Sequence, residues 1–314
     1  MTMKHGFSRA GRMLAAIAGA AAIALNVGVA PILASDPFRT AENRYEIGNT
    51  TEAAFRVLFE QGNYLESERL LKQAEQTEPN EPLVYAMQSA FAYLDEDWNR
   101  LNTYATETRQ AGERLIATNP LRGNLYTGLG HFLEGAYIIS TEGVLGGTPK
   151  AMAKLRQVFR YFDAAEAISE TDPELNLIKG FMDLMLAVTL PFADGNDAIA
   201  RLENYAAPPY LAYRGIAVGY RDLDEVDKAL AAVNKALEYT PNNPELLYLK
   251  GQILVKQGND VDSAEILQEA DNYFNAAMAQ ADEKFPESLR NQLKKERDRN
   301  LRKIPEMAAR STTE

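Results

Sequence analysis

Residues 210–243, YLAYRGIAVGYRDLDEVDKALAAVNKALEYTPNN, decide the fold. With Tyr210 as position 1 of a 34-residue unit, bulky Tyr213 and Tyr220 fall at 4 and 11. Small Ala217, Ala229 and Ala236 fall at 8, 20 and 27, and Pro241 falls at 32. Small residues at 8 and 20 let two helices approach closely, and the tyrosines fill the next layer. Proline ends the second helix, because it has no N–H to give and clashes with the preceding turn. One such helix pair cannot bury its apolar face alone. The stretch therefore predicts a stacked array whose product is a surface.

The neighbouring segments repeat the arrangement. From Pro244, Leu247, Gly251 and Leu254 take positions 4, 8 and 11, and Gly258 sits at the turn. QGNYLESERLLKQAEQTEPN (61–80) places Leu71, Ala74 and Pro79 at 24, 27 and 32 of a unit beginning near Gly48, although bulky Phe55 departs from position 8. From Pro82, Tyr85, Ser89, Ala92 and Trp98 occupy 4, 8, 11 and 17. Pro120, Pro173 and Pro209 each precede an apolar helical run, at spacings of 53 and 36 residues. Two degenerate units are expected there, the first interrupted by a flexible insertion at GVLGGTP (143–149). The whole resembles the tetratricopeptide repeat (TPR) pattern. It implies an all-α, right-handed α-solenoid of about six units over 48–286, after a short N-terminal segment, 35–47. The basic helix and tail, 287–314, would cap it.

Residues 1–34 are a different kind of object. Lys4, Arg9 and Arg12 precede an uncharged, alanine-rich run from Met13 to Leu33, followed by small residues. That order reads as a cleavable secretory signal peptide. Without it, 30 Lys and Arg face 44 Asp and Glu, a net charge of −14. So acidic a chain repels phosphate backbones and anionic lipid, which argues against nucleic acid as a partner. The chain has no cysteine, so an exported form relies on its core rather than on disulfides. The final helix, 287–304, reverses the balance with seven Lys and Arg, while Leu289, Leu293, Leu301 and Ile304 share one face. It reads as a cap on the array, stopped by Pro305 and followed by a frayed tail.

Catalysis has little to work with. Beyond the leader the only histidine is His131, which reads as a packed residue, and the missing cysteines remove soft-metal sites. GVLGGTPK lacks the Gly-Lys-Ser/Thr of a phosphate loop. Asp222, Asp224, Glu225 and Asp227 lack the spacing and central glycine of a calcium loop. No cofactor, no metal and no enzymatic activity are expected.

In TPR arrays the first helix of each unit lines the concave face at positions 2, 5, 9, 12 and 13. The resemblance thus implies a groove lined by Arg214, Val218, Arg221, Tyr248 and Gln252, with Tyr93 from an earlier unit. Arg214 and Arg221 are placed to take a partner carboxylate. The Lys and Asn with which chaperone-binding members clamp a C-terminal carboxylate are absent at the matching positions. At greater length, FRTAENRYEIGNTTEAAFRVLFEQGNY, ISTEGVLGGTPKAM and PNNPELLYLKGQILVKQGN resemble a family of exported cyanobacterial TPR proteins. That resemblance implies a periplasmic or thylakoid-lumenal scaffold for a protein or extended peptide, assisting membrane complexes. The rival expectation is a small-molecule-binding accessory of a transporter, with 143–149 covering a pocket.

Overall fold

The computed structural model describes residues 36–40, 42–189 and 195–311. Among them are twelve α-helices and no strand, so the described chain is all-α and of the helical-repeat type. In order they are α1 (Asn49–Phe59), α2 (Tyr64–Thr77), α3 (Pro82–Leu94), α4 (Trp98–Leu115), α5 (Pro120–Glu166) and α6 (Pro173–Thr189). Then follow α7 (Gly195–Asn204), α8 (Pro209–Asp222), α9 (Val226–Tyr239), α10 (Pro244–Asp260), α11 (Ala264–Lys284) and α12 (Glu287–Ser311). The expected leader, 1–34, lies outside the described residues.

Prolines punctuate the order. Pro82, Pro120, Pro173, Pro209 and Pro244 each open a helix, where the missing N–H costs nothing because first-turn N–H groups have no intrahelical acceptor. Four of these helices are capped by the residue before the proline, Asp172 among them through the Leu175 N–H (3.0 Å). Glu81 accepts from the Leu83 N–H, Asn119 from that of Arg122, and Asn243 from those of Glu245 and Leu246. The small residues act as the pattern requires. Ala217, Ala229 and Ala236 are wholly buried, and a Cβ on Gly251 would meet the Phe274 ring at 2.7 Å, which brings α10 close against α11.

Two expectations need correction. Residues 143–149 are not a flexible insertion, because Val144–Pro149 are helical and only Gly143 breaks α5, at φ 73° and ψ 172°. That region is essentially open to glycine alone. It folds α5 back on itself: His131 stacks on Tyr161 with centroids 5.7 Å apart, and Lys154 reaches Glu134 at 2.5 Å. The long middle spacing is thus a helix pair without a connecting loop. Nor does Pro305 stop the last helix, which runs through it to Ser311. Met307 is buried two residues beyond the proline, and its packing offsets the lost backbone bond.

The described chain divides into two compact units. The first comprises 36–55 and 67–208, the second 56–66 and 209–311. In the second unit the α1–α2 turn is pinned by Asn243 Nδ2 donating to the Phe59 carbonyl (3.1 Å), by Lys284 Nζ on the Gln61 carbonyl (3.0 Å), and by Tyr64 edge-on to Phe285.

Candidate functional site

Five of the six residues expected to line a groove fall in the second unit, on α8 and α10. Their polar members form a ladder between α8 and α10 with two rungs, Arg214–Glu245 and Arg221–Gln252. Arg214 is buried, donates from Nη2 to Glu245, and lies beside Tyr64. Burial, then Glu245, pushes the Tyr64 hydroxyl well above the ordinary tyrosine range. Arg221 donates from Nε to Asp222 (2.9 Å) and from Nη1 to Gln252 (2.8 Å). Gln252 in turn donates to Glu296 of α12 at 2.6 Å. Val218 and Tyr248 pack into the core on either side, and Gln252 is half-buried.

The ladder is not saturated. Arg214 Nε and Nη1, Arg221 Nη2 and Asp222 Oδ2 are buried with no hydrogen-bond partner among the described residues. A buried polar atom left in this way costs about 1–3 kcal/mol. Tyr93, the sixth residue, belongs to the first unit. Its ring meets Trp98 edge-on at 5.6 Å, and burial raises its hydroxyl pKa while a bond to Ser140 opposes that.

The first unit carries a network that the repeat register did not pick out. Arg122, 1 % exposed, donates from Nη1 and Nη2 to Glu81 (3.0 and 2.8 Å) and from Nε to Glu174 (3.0 Å). Tyr126 donates its hydroxyl to Glu174 at 2.6 Å. Arg39 joins from the N-terminal segment, reaching Asp36 (2.8 Å), Asp172 (2.7 Å) and Glu174 (2.9 Å), with its guanidinium over the Tyr45 ring. Burial works to raise the Glu174 pKa, but Arg122 and Arg39 outweigh it and hold the carboxyl below the ordinary value. A signal was present in the sequence: Glu81, Arg122 and Glu174 each lie within two residues of a helix-opening proline.

His131 bonds Glu134 through Nδ1 (3.1 Å), and Glu134 also accepts from Arg109 Nε (2.9 Å) and Lys154. Burial opposes its ionisation, yet the bonds from His131, Arg109 and Lys154 lower its pKa to about 2. This is a packed ion cluster holding the α5 arms together. Of the acids near the α8–α9 turn, Asp222 is buried against Arg221, while Asp224 pairs with Lys256. No three His, Asp or Glu residues among the described ones are grouped to hold a metal ion.

One cleft of about 620 Å³ opens in the first unit between the second arm of α5, α6 and α7. Phe159, Leu186 and Tyr205 give it apolar walls, and Asn176, Lys179, Asp183 and Arg201 give it polar ones. Lys179 makes loose ion pairs with Glu166 (3.6 Å) and Asp183 (3.7 Å), and burial raises the Asp183 pKa. Residues 143–149 do not line this cleft.

The repeat geometry has an independent counterpart in sequence. A family model for the TPR repeat matches residues 220–258. The match spans the end of α8, all of α9 and most of α10, and it supports a TPR-type repeat in that stretch. The matched stretch includes Arg221, Asp222, Glu245 and Gln252, while Arg214 lies before it. TPR units typically mediate binding of protein partners and are generally non-enzymatic. Compared with curated proteins and with solved structures, the chain finds no match in either. No helix among the described residues is long and apolar enough to cross a membrane.

Proposed function

We propose that the protein is an exported interaction scaffold whose second unit takes a protein or extended-peptide partner along α8, α10 and α12. The observation that carries this reading is the set of buried, unpaired donors on Arg214 and Arg221. A partner carboxylate or backbone carbonyl reaching them would satisfy atoms left unmatched among the described residues. The stacked helices hold those groups in place before binding, so little side-chain freedom is lost on association. The basic, apolar and small-residue order of 1–34 supports export to a periplasm or thylakoid lumen, and help in assembling membrane complexes follows from the family resemblance.

The test is affinity capture by the full-length chain beside its Arg214→Lys/Arg221→Lys variant. Lysine keeps the charge that Glu245 and Asp222 need, yet loses the planar fork that a carboxylate reads. A partner that binds the wild type, is lost with the double variant and rebinds in purified form supports the reading. A partner held equally by both refutes it. A second reading, a small-molecule receptor, draws on the first unit's cleft with its mixed lining. It predicts a thermal shift with a small ligand that Arg201→Ala abolishes.

A further inference from the structure

The second arm of α5, from Val144 to Glu166, has two faces. Gly147, Val158, Phe162 and Ala165 are buried against the rest of the first unit. On the adjoining face Leu145 is 92 % exposed, Met152 47 % and Phe159 41 %. These three stand seven residues apart, so they align every second turn along roughly 21 Å of helix. Scattered exposed apolar residues need no explanation, but three in register on one helix form a seam.

The charge around the seam is as distinctive. Between 144 and 162 there is no Asp or Glu, in a chain that carries 44 of them. Lys150 and Lys154 are taken by Glu142 and Glu134. Arg156 and Arg160 are exposed on the seam's flank and have no carboxylate partner among the described residues. Arg160 lies over the Tyr161 ring at 5.4 Å.

We infer that this face docks an amphipathic helix of a partner protein, with apolar residues on its seam and acidic residues facing Arg156 and Arg160. The apolar spacing matches a helix seated lengthwise, and Arg156 and Arg160 supply the complementary charge. Screening confines electrostatic interaction to about 8–10 Å, so a single helix meets only this local basic flank. A bilayer or a second copy would instead face the whole chain, with its net charge of −11. The leader is the wrong occupant, because residues 1–34 contain no acid. Phe159 also lines the cleft, so a helix on the seam would end at the cleft's mouth. This surface lies in the first unit and does not rest on the Arg214–Arg221 reading.

The test uses two labelled three-heptad peptides with the same leucine seam, one flanked by glutamate and one by lysine, titrated against the full-length chain by fluorescence anisotropy. The wild type is expected to prefer the glutamate peptide by about tenfold, the scale of a few surface ion pairs acting together. Arg156→Glu/Arg160→Glu should invert the preference. Met152→Glu should remove binding of both peptides, while Arg214→Lys/Arg221→Lys should leave it unchanged. Equal affinity for the two peptides, or binding that survives Met152→Glu, overturns the proposal. So does flotation with phosphatidylserine vesicles, or a sedimentation change of the free chain, that depends on Met152 when the peptides do not bind.

Discussion

Arg122 in the first unit and Arg214 in the second lie near helix-opening prolines, and each is buried beside a glutamate that follows such a proline. Arg122 divides its donors between Glu81 and Glu174, and none of its nitrogens is left unpaired. Arg214 gives one nitrogen to Glu245 and leaves two without a partner among the described residues. The difference separates two uses of one chemistry. A saturated buried pair fixes how helices meet, whereas the unsaturated one leaves the donors on which the proposed binding rests.

The largest effect should come from breaking the saturated side. Arg122→Gln leaves Glu81 and Glu174 buried without their shared cation, and stability should fall by about 3–5 kcal/mol in urea unfolding. If the loss is no greater than for Arg214→Lys, the contrast between the two arginines fails. Next comes Glu134, whose folded pKa of about 2 lies below its ordinary 4.5. The sign follows from that depression. Its stabilisation is present above the unfolded value and lost as pH falls from 4.5 towards 2. Glu134→Gln should therefore cost about 2–3 kcal/mol at neutral pH, with the gap to wild type closing across that window. A gap that does not change with pH would remove the ion cluster from the account.

Smaller still is Gly143→Ala. The alanine meets no steric neighbour, so its cost is that of the backbone conformation alone, about 1–2 kcal/mol in thermal unfolding. Finally, Arg214→Lys/Arg221→Lys should cost about 1 kcal/mol or less, because the charges that Glu245 and Asp222 face remain. A much larger loss would make both arginines structural, like Arg122.

The fold was legible wherever small and bulky residues kept their register. Ala217, Ala229 and Gly251 gave close helix contacts because only small side chains fit there, and the prolines marked helix starts for want of an N–H. The α5 hairpin was not legible. Glycines and a proline normally read as a loop, and a single glycine in a rarely used backbone region turned two long arms instead. Pro305 misled in the same way, since the burial of Met307 is a tertiary effect. Repeat position singles out Arg214 and Arg221, which gives direction but not partners. Their bonds to Glu245 and Asp222, and the donors left over, depend on side chains brought together by stacking. The Arg122 network escaped because repeat registers weigh size and not charge.

The most direct test follows the arginine side-chain Nε–H signals of the ¹⁵N-arginine-labelled full-length chain as the captured partner is added. The account predicts that Arg214 and Arg221 shift on binding while Arg122 and Arg39 stay fixed. A shift at Arg122 and Arg39 with Arg214 and Arg221 unmoved would contradict it.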